Sequence, residues 1–168
     1  MSDAVSSILP GAKLVQANAQ ALLKDVPPAQ FARQARGVQS NHPAWVYGHL
    51  AIYPDRCLEL IGRKELIRPD ERFTALFANK SACVDDPDGK TYPAMEEITS
   101  RFFSRTDAML GAIAETSDEV LGRVITGDAM ADRLPTVGSR VCFLTGAHPM
   151  SHLGQVSAWR RFMGLSSA

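Results

Sequence analysis

The sequence predicts an all-α fold, a four-helix bundle with long crossover connections. Hydrophobic residues recur at steps of three and four in four separate segments, which is typical of amphipathic helices. Two long segments between them are rich in Asp, Pro and Gly, the residues of turns and loops. At 168 residues the chain is long enough for one domain with its own core and short for two, so we expect a single domain over residues 1–168.

The first helix is expected over residues 10–25, a segment rich in Ala, Leu, Lys and Gln. Leu14, Ala17 and Ala21 lie at steps of three and four and predict its inward face. Pro10 is expected to open the helix, because its fixed φ suits a first turn. The helix should end before the Pro-Pro pair that follows, and a short helical turn is expected after that pair.

The second helix is expected to begin at Ser40 or Asn41, either of which can cap free backbone N–H groups, and to end at Gly62. Pro54 removes one internal hydrogen bond and predicts a kink. His49 falls on the inward stripe of this helix. The other members of the stripe are Val46, Leu50, Tyr53, Cys57 and Leu60 or Ile61.

Two irregular connections separate the later helices. Residues 63–93 predict a long crossover with one short helix around Phe73–Phe77, a length that suits a bundle in which one connection spans the molecule. Residues 115–138 show no strand alternation strong enough to predict a sheet, although residues 123–127 are compatible with one short strand.

The third helix has the clearest pattern in the chain. Thr91, Pro93 and then Glu96 and Glu97 predict its start, because acidic residues favour a helix N-terminus. Its inward residues are Met95, Ile98, Phe102, Thr106, Met109 and Ile113.

The last helix is expected over residues 139–163, and two histidines replace apolar residues on its inward face. The stripe consists of Val141, Leu144, His148, His152, Gln155, Trp159 and Phe162. Pro149 lies within this run and leaves two alternatives: it bends the helix, or it marks the first turn of a helix in which His148 is a cap residue.

Three of the four histidines predict a metal site. His148 and His152 lie four residues apart on one helical face, and His49 lies on the inward face of another helix. Three neutral imidazoles leave a coordination position open, as in catalytic sites, and they suit Zn²⁺, Ni²⁺, Cu²⁺ or Fe²⁺ better than Mg²⁺ or Ca²⁺. The alternative is that each histidine is a hydrogen-bonded core residue or lines an empty pocket. His42 is expected at the surface, in the first turn.

The other candidate site residues are interpreted mainly as structural. Trp45 and Trp159 are expected to form core walls around a pocket, and Cys57 to be a packed thiol. Gln155 can donate to a ligand, orient a histidine or bridge polar groups at the end of the bundle. Asp55 and Glu59 follow His49 by six and ten residues and are expected to be surface charges. The catalytic residues are therefore unknown at this stage.

Charge and cysteine content limit the partners and the compartment. Lys and Arg total 18, as do Asp and Glu, so no positive field favours nucleic acid, and the basic pairs at 63–64 and 160–161 are expected at the surface. Three isolated cysteines are typical of a reducing compartment. The N-terminus lacks a signal-peptide pattern, and no apolar run is long enough to cross a bilayer. We expect a cytoplasmic protein without nucleic-acid or membrane partners.

The segments NHPAWVYGHLA and HPMSHLGQVSAWRRFMGL resemble the DinB-like superfamily, which includes the DinB and YfiT proteins. FTALFANKS and TYPAMEEITSRF resemble its crossover and third helix, so the resemblance covers about residues 10–165. It implies a four-helix bundle in which His49, His148 and His152 bind a divalent transition metal, with Zn or Ni favoured. It also implies a homodimer, because family members are often homodimers.

Two functions follow from these patterns. The first is a metal-dependent enzyme acting on a small molecule. The resemblance suggests a transferase that uses a low-molecular-weight thiol, and metal-assisted hydrolysis is the nearest competitor. The second is a noncatalytic metal-binding or ligand-binding bundle of the stress-response kind.

Overall fold

A computed structural model of the chain describes residues 2–166, and in them the helices form a bundle of four members, as predicted. The second and fourth members are each interrupted once. In chain order the helices are α1 (Asp3–Leu22), α2 (Pro43–Leu50), α3 (Tyr53–Leu60), α4 (Glu71–Phe77), α5 (Met95–Ala114), α6 (Asp118–Gly122), α7 (Val137–Thr145) and α8 (Ala147–Phe162). Short 3₁₀ turns occupy Pro28–Gln30 and Lys64–Leu66.

The four members of the bundle are α1, the pair α2 and α3, α5, and the pair α7 and α8. Helix α5 packs against α1, α2 and α3, while α8 packs against α1 and α2, and α7 against α1 and α3. The apolar core is divided into two clusters, one around α2, α4 and α8 and the other around α3, α7 and the end of α5. Both interruptions lie where these two clusters meet.

Helix α1 differs from its prediction in both start and face. It begins at Asp3, where the Ser2 hydroxyl accepts a hydrogen bond from a first-turn N–H group, so Pro10 lies inside the helix. Pro10 is exposed, and the carbonyl that its missing N–H leaves unpaired lies on the solvent side. The expected inward residues Leu14, Ala17 and Ala21 are exposed, because the opposite face packs on the core. The buried residues are Val5, Leu9, Ala12, Ala19 and Leu22.

The second member contains the predicted break near Pro54. Helix α2 ends at Leu50 and α3 begins at Tyr53, which places Pro54 in a first turn where its missing N–H costs little. The expected caps at Ser40 and Asn41 are wrong, because the N-cap is His42. The predicted stop at Gly62 agrees with the structure, since this residue has a φ of 82° just beyond the helix.

The fourth member is not the continuous helix expected over residues 139–163. Helix α7 begins earlier, at Val137, where Thr136 and Ser139 form a capping box, and the helical run is interrupted at Gly146. Pro149 explains the interruption, because it cannot donate to the carbonyl four residues earlier and its ring would clash there. Pro149 therefore lies in the first turn of α8, and both candidate histidines belong to that helix.

The third member and the connections agree largely with the pattern. The inward residues of α5 are buried as expected apart from Met95, but the N-cap is Ala94, which makes no side-chain cap. The short helix predicted at 73–77 is present as α4. Helix α6 was not predicted, and residues 123–127 contribute a single antiparallel bridge, between Val124 and Thr136.

Two arginines of the bundle are buried. Arg160 was expected at the surface but is 1% exposed, because its guanidinium donates to the carbonyls of Leu22 and Lys24 at the end of α1. Arg105 donates to Asp55 at 2.5 and 3.0 Å, so the carboxylate expected at the surface is held in a nearly buried ion pair.

Within residues 2–166, no helix combines the length and hydropathy of a membrane-spanning segment.

Candidate metal centre

The three predicted histidines converge at the level of the two helix interruptions. His49 is the penultimate residue of α2, and His148 and His152 lie in the first two turns of α8, which packs against α2. One ring nitrogen from each residue lies within 4.8 Å of the others. The ring centroids are 4.7 Å apart for His49 and His152, 5.5 Å for His49 and His148, and 4.9 Å for the α8 pair. The spatial prediction made from helical spacing is therefore confirmed.

His49 is fixed by a backbone carbonyl from the crossover. Its Nδ1 lies 2.7 Å from the carbonyl oxygen of Phe77, the last residue of α4. Since a carbonyl only accepts hydrogen bonds, Nδ1 carries the proton and Nε2 keeps its lone pair. A hydrogen bond of this kind orients a metal-binding imidazole and sets its tautomer.

The approach of α4 to α2 depends on Gly48. A Cβ atom at this position would lie 2.5 Å from three ring carbons of Phe77, far inside van der Waals contact. The absence of a side chain thus lets the Phe77 ring lie against α2 and brings the Phe77 carbonyl to His49.

The two histidines of α8 have nitrogen atoms without partners. The Nδ1 atoms of His148 and His152 are buried and find no hydrogen-bond partner among the described residues. Leaving a buried polar atom unpaired costs roughly 1–3 kcal/mol, so two such atoms beside a third imidazole call for an explanation. A bound divalent cation offers one, because an ion ligated by these Nδ1 atoms would engage their lone pairs.

Burial keeps all three imidazoles neutral. Burial is the main cause of a pKa of about 4 for His49 and about 3 for His148; the neighbouring histidines and the Arg56 charge act in the same direction, and the hydrogen bond to the Phe77 carbonyl opposes the shift of His49. Burial also lowers the pKa of His152, and the Gln155 side chain raises this pKa by a smaller amount. Metal binding requires the neutral imidazole, so these ligands are available at neutral pH without releasing a proton.

An open cleft of about 710 Å³ leads to the histidines. Trp45 forms one wall: its ring is stacked on His49 with centroids 4.6 Å apart, and its indole N–H donates to Ser81 at 3.0 Å. Tyr53 forms another wall, with its ring centroid 4.3 Å from that of His148. The remaining lining residues are Arg56, Glu59, Leu60, Asn79, Met130, Arg140, Phe143 and Leu144.

The comparison with protein families agrees with this geometry. A model described as the DinB superfamily matches residues 12–156, which is most of the chain and includes all three histidines. The chain belongs to the DinB superfamily. No curated protein gives a significant match to it. DinB membership and the histidine cluster are both compatible with metal binding.

His42 lies outside this DinB site and is not the surface residue expected. It is fully buried: Nδ1 accepts a hydrogen bond from the Trp45 N–H, and Nε2 donates to the carbonyl of Val84 at 2.9 Å. Both ring nitrogens are thus satisfied by backbone. His42 is the hydrogen-bonded core histidine that the sequence left open as an alternative for the other three.

The remaining candidates divide between core and cleft. Cys57 is a packed thiol as expected, since it is fully buried. Burial raises its pKa to about 12. Trp45 is the wall predicted, whereas Trp159 is buried in the core, away from the cleft, and donates to the carbonyl of Arg33. Gln155 accepts a hydrogen bond from Asn41 at 3.0 Å, which fits its bridging role, and its side chain also raises the pKa of His152, which fits its role in orienting a histidine.

Sequence reasoning missed the polar residues of the cleft. Arg56 follows Tyr53 by three residues and His49 by seven, so the helical stripe itself was a usable signal for it. Asn79 carries no such signal, because it reaches the cleft from the loop after α4. Arg140 of α7 precedes Leu144 by four residues and His148 by eight, so the stripe of the last helix was a usable signal for it.

Proposed function

We propose that the protein is a metal-dependent enzyme that holds a divalent transition metal, Zn²⁺ or Ni²⁺, on His49, His148 and His152. The observation that carries the proposal is the convergence of three neutral imidazoles, two of them with unpartnered buried nitrogens, at the bottom of an open cleft. Imidazole-only ligation suits these ions, and three protein ligands leave room for a further one.

The reaction class that best fits is transfer to or from a low-molecular-weight thiol, and hydrolysis of a small substrate is its competitor. A bound ion of this kind supplies Lewis-acid chemistry, lowering the pKa of a thiol or water molecule. The chain's own residues orient and shield the site. The Phe77 carbonyl fixes the His49 tautomer, and the rings of Trp45, Tyr53 and Phe143 pack against the histidines.

The positions of the two nearby carboxylates, Asp55 and Glu59, favour a second function that needs no general base. Asp55 is engaged by Arg105, and Glu59 is the acidic residue that lines the cleft. Glu59 is exposed, ten residues beyond His49 in sequence. A metal-dependent hydrolase needs a general base within reach of its substrate, and neither carboxylate belongs to the histidine cluster. A noncatalytic bundle that binds a metal or small ligand in a stress response is therefore the alternative proposal.

The same proposal includes a cytoplasmic homodimer built as one domain over residues 1–168. Exposed apolar side chains on α1 and α8 support self-association: Leu14 is 72% exposed and Met150 is 45% exposed. Asn18 of α1 contacts the Met150 sulfur, so the two helices present one continuous surface. Sedimentation of Leu14→Glu against the unaltered protein tests the dimer, and an unchanged molecular mass would exclude this surface.

Metal analysis of untagged protein tests the site. We expect one equivalent of metal in the purified protein and loss of that metal in His49→Ala. A ligand present at 100 times its Kd stabilises the folded state by about 2.7 kcal/mol, so a chelator should lower the Tm by roughly 5–10 °C. Metal retained by His49→Ala would remove this residue from the site.

An activity screen separates the enzyme from the binder. Several thiols are combined with electrophiles and with hydrolysable esters, each with loaded and metal-free protein. Turnover that requires both thiol and metal supports the transferase, and turnover without thiol supports the hydrolase. A rate equal to that of buffer in every combination would favour the noncatalytic bundle.

A further inference from the structure

The guanidinium of Arg56 is held beside the three histidines by an aromatic ring. Its Cζ lies 5.2 Å from the centroid of the Tyr53 ring, a cation–π distance. The Tyr53 ring in turn contacts the rings of His148 and His49, at centroid distances of 4.3 and 4.9 Å. Tyr53 therefore places a positive charge on the cleft wall next to the proposed ligands, even though Arg56 itself is an exposed residue.

The charge of Arg56 is not neutralised by the protein. Within residues 2–166, the ion pairs do not include Arg56, although an acidic residue, Glu59, lines the same cleft. The other cation of the cleft, Arg140, differs in this respect, because the Asp128 carboxylate accepts from its Nη2 at 2.9 and 3.0 Å. Among the described residues that line the cleft, Arg56 is thus the cation free to bind a ligand.

The histidines add no negative charge to the site. All three are neutral imidazoles, and the potential ligand cluster contains no carboxylate among the described residues. A bound dication would keep its full charge beside Arg56. Such a site favours a ligand that brings negative charge, because opposite charges attract strongly where water is partly excluded.

We propose that Arg56 is a specificity-determining residue that binds a carboxylate of the small-molecule substrate, while the reactive end of that substrate reaches the histidines. The inference rests on the proposed metal-dependent function and names its substrate class, a small carboxylated thiol. A carboxylate is favoured over a phosphate because one guanidinium balances a single negative charge, whereas Glu59 on the same cleft repels a dianion more strongly than a monoanion.

Ligand binding to Co(II)-substituted protein tests this inference without a reaction. The visible spectrum of Co(II) reports uptake by the histidines and changes again when a thiol binds. Three thiols of similar size serve as probes: 3-mercaptopropionate (anionic), 3-mercapto-1-propanol (neutral) and 2-mercaptoethylamine (cationic). The titrations use the unaltered protein, Arg56→Met, and Arg161→Met as a matched control, since Arg161 is an exposed arginine of α8 outside the cleft.

The unaltered protein should bind the anionic thiol about tenfold tighter than the neutral one and the cationic thiol least tightly. In Arg56→Met the anionic and neutral thiols should bind within about threefold of one another, with the affinity for the neutral thiol unchanged. Arg161→Met should keep the preference, and Glu59→Gln should increase it.

Three failures are distinguishable. Normal Co(II) uptake with equal affinity for the charged and neutral thiols, or a preference that survives in Arg56→Met, would overturn the role of Arg56 and leave the metal site standing. Tighter binding of the corresponding thiol phosphonate than of the carboxylate would overturn the choice of carboxylate. Failure of the protein to bind Co(II) at the histidines would overturn the proposed function itself, and this inference with it.

Discussion

Replacing Gly48 with alanine probes the link between the crossover and the metal centre. The new methyl group would lie 2.5 Å from three carbons of the Phe77 ring, at least 1 Å closer than the roughly 3.5–4.0 Å at which carbon atoms pack. Phe77 is fully buried, so its ring cannot swing into solvent. The ring, and with it the end of α4, must therefore move away from α2.

The cost of this movement is the difference between two effects. Overpacking a core costs about 1–3 kcal/mol, whereas replacing a helical glycine with alanine returns about 0.5–1 kcal/mol. The net loss of about 0–2.5 kcal/mol should lower the Tm of a chain of this size by up to roughly 10 °C. Displacing the Phe77 carbonyl from His49 should also weaken metal binding by about 10–100-fold, the usual effect of losing such a hydrogen bond.

Gly11→Ala is the matched control for this experiment. Gly11 lies inside α1, where a Cβ atom would meet nothing within 4 Å, so the helical gain should appear alone as a Tm raised by roughly 1–4 °C. Thermal melts of the metal-free proteins and competition titrations of metal binding measure the two effects. The reasoning is refuted if Gly48→Ala is as stable as Gly11→Ala and binds metal as tightly as the unaltered protein.

Three further predictions follow from the structure. His42→Ala should destabilise the fold by about 1–3 kcal/mol, because it leaves backbone groups unpaired, yet it should bind a full equivalent of metal; loss of metal would contradict its structural role. Asp55→Ala should cost about 3–5 kcal/mol in denaturant titrations by stranding Arg105 and should also keep the metal. The pKa of His49 is about 4 when folded against an ordinary 6.5, so the unfolded chain takes up the proton first. The stability that this neutral histidine provides is complete above pH 6.5 and falls towards pH 4 by up to about 1.4 kcal/mol per pH unit. Unfolding titrations of metal-free protein measure that slope, and a flat profile over this range would contradict it.

The convergence of the histidines was predictable because helical geometry fixes side-chain direction. His148 and His152 are one turn apart, so they share a face wherever their helix begins, and His49 lies among apolar residues at helical spacing. The interruption at Gly146 leaves this relation intact, since both residues follow it. The site therefore did not depend on the helix boundary that the pattern placed wrongly.

Two of the errors concern side chains whose partners are distant in sequence. His42 appeared to be a surface residue because its acceptor, the carbonyl of Val84, lies 42 residues away. Arg160 appeared to be half of a surface doublet because the carbonyls that it satisfies end α1, more than 130 residues earlier. A local pattern does not indicate which polar group a buried donor will meet.

The crossover between the second and third members is more than a spacer, because it supplies the acceptor that fixes His49. Helix α4 is held at its start by Asp70, which caps the Phe73 N–H at 3.0 Å and approaches Arg101 of α5 at 3.6 Å. It is held at its end by the Phe77 ring against α2. With both ends anchored, the terminal carbonyl of α4 has a defined position relative to the bundle. The orientation of His49 is therefore determined by a segment outside the four members, so perturbations of α4 should reach the metal centre without changing any of the three histidines.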